Sequence, residues 1–215
     1  MEQKKQSNPQ IKLHNSVSEL SLQLYRTLLL CGVACVVMVM ATSSIMTESR
    51  LGLGIIGVIC VIVVGLILYA NTWSYGDRDA NFVQFGRMTQ DRLKGLKIGL
   101  LISIPSFLMN IPLALSKMEI IPFDFMPIYR ILLAPLWPLI NLIHPYGAIP
   151  YDASPATEYT EAMAATPGLG WGQFGLLVLL PLIYTVFSWV GYELGYHRIS
   201  VGFKLVYEDK NKKKK

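Results

Sequence analysis
Uncharged apolar stretches recur along this chain at lengths that fit helices crossing a lipid bilayer. Residues 51–70 form a 20-residue run without a charge, and residues 27–47 are likewise uncharged around LLLCGVACVVMVMA. Residues 98–115 give 18 residues interrupted by Pro105 and Pro112, and residues 172–192 give 21. An α-helix of about 20 mostly apolar residues spans the hydrocarbon core, so each stretch predicts one crossing. A fifth apolar stretch, 131–143, has only 13 residues and carries Pro135 and Pro138. That length fits a re-entrant or interfacial helix rather than a span. The pattern therefore predicts an all-α polytopic integral membrane protein: four transmembrane helices, one short re-entrant or interfacial helix, and amphipathic cytoplasmic helices.

Basic residues set the orientation. Lys4, Lys5, Lys12 and Arg26 precede the first span, whereas the first connection holds only Arg50. Residues 71–97 carry Arg78, Arg87, Arg92, Lys94 and Lys97. The third connection holds Lys117 and Arg130, and residues 144–171 contain no Lys or Arg. Arg198, Lys204, Lys210 and Lys212 to Lys215 follow the last span. The positive-inside rule places both termini and the 71–97 loop in the cytoplasm, which demands an even number of crossings. A crossing at 131–143 would put the Lys/Arg-free loop inside and the basic tail outside, so four spans are expected. The organisation is then a cytoplasmic arm (1–26), a single membrane domain (27–198) and a basic cytoplasmic tail (199–215). A cleaved signal peptide competes for the first stretch, with small residues at Ala41, Ser43 and Ser44. The long patterned arm before it favours an uncleaved helix.

Composition agrees. Of 215 residues, 53% are hydrophobic and 15% charged, and the mean hydropathy is +0.43. A soluble domain carries about 25% charge, and disorder, disulfide scaffolds and coiled coils need other compositions again. The net charge of +5 suits an anionic cytoplasmic membrane face rather than nucleic acid. Cys31, Cys35 and Cys60 lie inside apolar runs and read as small hydrophobes.

Between the spans, Ser16 with Glu19 forms a capping-box pattern ahead of Val17, Leu20 and Leu24, predicting a surface helix that runs into the first span. Phe82, Phe85, Leu93 and Leu96 fall in one stripe at helical period, with Arg87, Asp91, Lys94 and Lys97 opposite. This predicts a basic amphipathic helix over 81–97, an ordinary juxtamembrane helix or a partner-docking site. Upstream, Trp73 and Tyr75 fit an interfacial aromatic belt, and Asp77 and Asp79 flank Arg78 in an expected turn with Asp79 as helix cap. The two carboxylates are weak metal candidates, since a lone D-x-D is a poor signal. Four prolines and three acids between 144 and 171 predict a loop or lid over the 131–143 segment.

Gly191 and Gly195 make a G-x-x-x-G pair in the last span, a spacing that lets helices approach closely. Glu193 and His197, four apart, fit an interfacial ion pair. Asn110 reads as interhelical glue. Gly191, Gly195, Glu193, His197, Asn110, Phe82, Phe85 and Arg87 are thus the candidate packing or partner-contact residues. Hydrolase, zinc-protease and phosphate-loop motifs are absent, so neither catalytic residues nor a cofactor is expected. The expected function is a non-enzymatic accessory or structural subunit in the plasma membrane, contacting other membrane proteins or itself. A transporter or channel component using Asn110 and the 131–143 segment is the alternative, and a membrane enzyme on phosphorylated lipid using Asp77 and Asp79 ranks after it. In a eukaryote, Lys212-Lys213-x-x would read as an endoplasmic-reticulum retrieval signal.

Overall fold
The computed structural model describes residues 16–41, 50–144 and 168–199, and every regular element among them is helical. The expected lid, most of the basic tail and most of the arm lie outside the described residues. Helix α1 (Val17–Ala41) starts where the Ser16 hydroxyl accepts the Glu19 backbone N–H at 3.2 Å, satisfying one of the orphan donors of a helix start. It runs unbroken from the predicted surface segment into the apolar run and buries Leu20, Leu24, Leu28 and Cys35 on one face.

Helix α2 (Arg50–Gln84) has 35 residues, roughly 52 Å at helical rise. It does not stop where the apolar run stops at Ala70. Polar side chains in the next turn return their hydrogen bonds to their own helix: Asn71 Nδ2 donates to the Ile67 carbonyl and Thr72 Oγ1 to that of Leu68, both at 2.8 Å. Cys60, Val64, Leu68, Thr72, Tyr75 and Asp79 are buried at steps of three and four, so one continuous face runs through the change in polarity. The predicted Asp77–Asp79 turn is thereby corrected: both residues are mid-helix, and Asp79 caps nothing.

The helix predicted over 81–97 is also corrected. Gly86, at φ +65°, ends α2. Its N–H reaches the Val83 carbonyl and that of Arg87 the Phe82 carbonyl, at 3.0 and 2.9 Å, the paired closure of a glycine-terminated helix. Helix α3 (Lys94–Leu108) begins only after the turn, with the Asp91 carboxylate accepting the Leu93 N–H at 3.1 Å. Counting a helical period across Gly86 joined two elements that the backbone separates. Phe85 and Leu93 are consequently exposed, and Lys94 is buried.

Helix α3 passes through Met109 into α4 (Asn110–Lys117). Then α5 (Met126–Leu132), a 3₁₀ turn (Ala134–Leu136) and α6 (Trp137–Ile143) form a proline-rich hairpin whose arms are bent by 99°. Helices α7 (Trp171–Leu179) and α8 (Leu182–Tyr196) are separated at Pro181. Four helical segments are long and apolar enough to cross a membrane: Val17–Met38, Gly54–Gln84, Lys94–Lys117 and Trp171–Tyr196. Helix α8 packs mainly on α2 and α3, α1 packs on α3 and the 3₁₀ tip, and α6 packs on α2. Arg130 on α5 donates to the His144 carbonyl at 2.8 Å, and Gln173 at the start of α7 donates to the Ile143 carbonyl at 3.0 Å. Both ends of the hairpin therefore lie together, beside the start of α7.

Candidate functional site
Three helices meet at a buried charge cluster. Lys94 Nζ, from the first turn of α3, lies 2.7 Å from Asp79 Oδ2 on α2, and the Tyr192 hydroxyl of α8 donates to the same oxygen at 2.7 Å. The Asp79 side chain is 0% exposed and that of Lys94 4%. A buried carboxylate is tolerated only when paired and hydrogen-bonded, and here the ammonium and the phenol come from two other helices. The cluster thus ties α2, α3 and α8 at a single atom.

Glycine makes that convergence possible. A Cβ at Gly195 would lie 2.1 Å from the Trp73 carbonyl oxygen, and one at Gly191 2.6 Å from that of Tyr69. Reciprocally, a Cβ at Gly76 would sit 2.2 Å from the Tyr192 carbonyl oxygen, and one at Gly99 2.8 Å from Thr185 Cα. Helix α8 is held between α2 and α3 at backbone contact from Thr185 to Tyr196, the approach that small residues permit.

From the charge cluster a line of polar groups follows the α3–α8 seam. Ser103 Oγ donates to the carbonyls of Gly99 (2.9 Å) or Pro181 (3.1 Å) and pairs with Thr185 Oγ1 at 3.0 Å. Farther along, the Tyr129 hydroxyl reaches Asn110 Oδ1 at 3.0 Å and the Leu177 carbonyl at 3.3 Å. Leu177 is the residue four before Pro181, which has no N–H to give it; its carbonyl takes the Leu180 N–H at 3.3 Å instead, and the Tyr129 hydroxyl is a second contact. At this second end the Lys117 ammonium bonds the Leu169 carbonyl and lies 4.5 Å from the Trp171 ring centre. His144 is buried there, and desolvation first, then the Arg130 charge, lowers its pKa.

The candidate residues separate accordingly. Gly191 and Gly195 face α2 of the same chain, so their stripe is filled internally. Glu193 and His197 pair at 3.2 Å on an exposed face. Asn110 is buried and bonded to the hairpin through Tyr129. Phe82 is half-buried, whereas Phe85 and Arg87 are exposed at the turn after α2. Asp77 lies 3.6 Å from Arg198, which also donates to Asn81 and Gln84. Asp77 and Asp79, two apart on one helix, point to different faces; among the described residues no group of three or more His, Cys, Asp or Glu could hold a metal ion. Cys31, Cys35 and Cys60 are free thiols.

Lys94, Tyr192, Ser103, Thr185 and Tyr129 were missed as site residues. A signal for one of these was present: Gly95, Gly99 and Ser103 repeat a small residue every four positions. Fold and seam together define an all-helical protein with four helices long and apolar enough to cross a membrane. No protein-family model, curated protein or solved structure matches the chain.

Proposed function
We propose that this is a multi-pass plasma-membrane protein acting as a non-enzymatic structural or accessory subunit. Its four apolar segments cross the bilayer, and both termini and the 85–93 turn face the cytoplasm. The hairpin around 126–143 enters and leaves on the outer side. One observation carries the preference for a structural role. At the α2–α3–α8 seam Asp79, Lys94 and Tyr192 pair with one another, as do Ser103 and Thr185, across backbones in contact, which supports a closed, rigid scaffold over a path for solute. With the glycine face filled internally, the partner surface shifts to the cytoplasmic turn. There Phe85 is 71% and Leu93 56% exposed beside Arg87 and Arg92.

Purification in mild detergent, with identification of co-purifying proteins, tests the role. A stable partner that is lost on Phe85→Ser, while helicity and melting temperature are kept, is the expected result. A protein that purifies alone and carries solute in liposomes would overturn it in favour of a transport component. That second reading draws on the proline-bent hairpin and its Asn110–Tyr129 contact. Topology reporters inside 85–93 and after Lys215 should give cytoplasmic signals, and one within 150–165 an external signal. A cytoplasmic signal from 150–165 would end the four-span arrangement.

A further inference from the structure
A crevice of about 250 Å³ lies between α1, α3 and the tip of the hairpin. Tyr25, Gly32 and Val36 line it on α1, Pro105 and Met109 on α3, and Pro135 at the tip. Its rim faces outward, with Val33 66% and Ile131 56% exposed. We propose that it holds one acyl chain of an anionic phospholipid from the cytoplasmic leaflet, with Arg26 at the headgroup.

Length, lining and charge each point to that occupant. Tyr25 and Val36 are eleven residues apart on α1, about 16 Å at helical rise, which is roughly half of a 30 Å hydrocarbon core. The crevice is about one leaflet deep, with Pro135 of the hairpin tip beside Gly32 along its length. Its walls are chiefly aliphatic and suit a hydrocarbon chain. Gly32 differs from the seam glycines: a Cβ there would meet only Pro135 Cδ, at an ordinary 3.9 Å. Backbone approach does not require glycine at this position, and the missing side chain leaves the crevice open. Arg26 is exposed and lies three and seven residues before Leu29 and Val33 of the crevice lining, on the same side of α1. Helical side chains slant toward the N-terminus. The guanidinium therefore snorkels to the cytoplasmic boundary, where it can take a lipid phosphate on two donors.

The inference rests on the membrane placement proposed above. The test uses the full chain in vesicles of equal parts phosphatidylglycerol and phosphatidylcholine, with a trace of either lipid carrying a photoactivatable acyl chain. The phosphatidylglycerol probe should label 28–36 and 131–135 several-fold more than the exposed α2 face at Ile55, Val58 and Ile62. Gly32→Leu should bring that labelling down to the α2 level, and Arg26→Gln should erase the preference for phosphatidylglycerol. If Gly32→Leu fails to fold, Val33→Trp at the rim fills the same space. Equal labelling of crevice and α2 face, or labelling unchanged in a folded crevice-filling variant, would overturn the proposal. Extraction of the chain by alkaline carbonate would instead refute the membrane placement itself.

Discussion

Lys94→Met is the sharpest perturbation of the buried cluster. Methionine keeps most of the lysine volume and removes the ammonium 2.7 Å from Asp79. Asp79, with no exposed side-chain surface, is left with its carboxylate buried and its strongest compensating charge gone. Breaking a buried pair from one side costs about 3–5 kcal/mol, whereas replacing both partners by neutral groups of similar shape is often close to neutral. Asp79→Asn combined with Lys94→Met should therefore recover most of the loss, for a coupling of about 3 kcal/mol. Tyr192→Phe removes one bond to a charged acceptor and should cost about 1.5–3 kcal/mol. The measurement is reversible unfolding by dodecyl sulfate in mixed micelles, followed by helical circular dichroism and run as a double-mutant cycle. Two results would refute the reasoning: Lys94→Met within 1 kcal/mol of the parent, or a double variant as damaged as the summed singles.

Other predictions use the same assay. Gly195→Ala and Gly54→Ala should differ in sign. A Cβ at Gly195 meets a carbonyl at 2.1 Å while one at Gly54 meets nothing within 4 Å; overpacking of about 1–3 kcal/mol thus outweighs the gain in helix propensity, about 1 kcal/mol, only at the first. Gly195→Ala as stable as Gly54→Ala would disprove backbone contact between α2 and α8. Tyr129→Phe should lose about 1–3 kcal/mol, since it removes the one hydroxyl proton available to the buried Asn110 Oδ1 and, alternatively, to the Leu177 carbonyl. A pH series tests His144, whose pKa is lowered by burial and by Arg130. The unfolded chain takes up this proton at a higher pH than the folded one, so stability is full above about 6.5 and falls as pH drops toward the lowered folded value. His144→Gln should shrink that acid-side loss, and an unchanged profile would exclude His144 as its source.

The apolar runs were legible because length and lack of charge are direct consequences of what a bilayer demands. Their ends were not, and α2 shows why. Hydropathy drops at Asn71, but Asn71 and Thr72 bond back to their own helix, so polarity changes while the backbone continues. The reverse happens at Gly86, where a stripe of apolar residues persists through a left-handed glycine that ends the helix. In the site, Gly191 and Gly195 announced a close approach without saying to what, since the same spacing serves a partner chain or a neighbouring helix. The Asp79–Lys94–Tyr192 cluster joins residues 15 and 113 positions apart. No local pattern encodes such a meeting; only the small residues recurring on α3 and α8 hinted at a close approach.

The two halves of the bundle are held together by different means, and this should appear in their dynamics. Helix α8 is gripped by glycine contacts to α2 and α3, by the Ser103–Thr185 bond and by the phenol of Tyr192. To open, it must break several buried polar links and separate touching backbones together, which makes it a cooperative unit. Helix α1 meets α3 and the hairpin through apolar side chains, and over residues 25–36 part of its inward face borders the crevice rather than another helix. Side chains along the crevice have fewer protein neighbours to hold them than those in the seam, so this stretch is the cheaper one to open locally. Hydrogen exchange in detergent should therefore be slower for amides 182–192 than for amides 28–36, although both lie in helical apolar runs. Adding phosphatidylglycerol should slow 28–36 and leave 182–192 unchanged, because only the first segment borders the crevice. Faster exchange in α8 than in α1 would contradict the seam as the rigid element, whatever lipid is present.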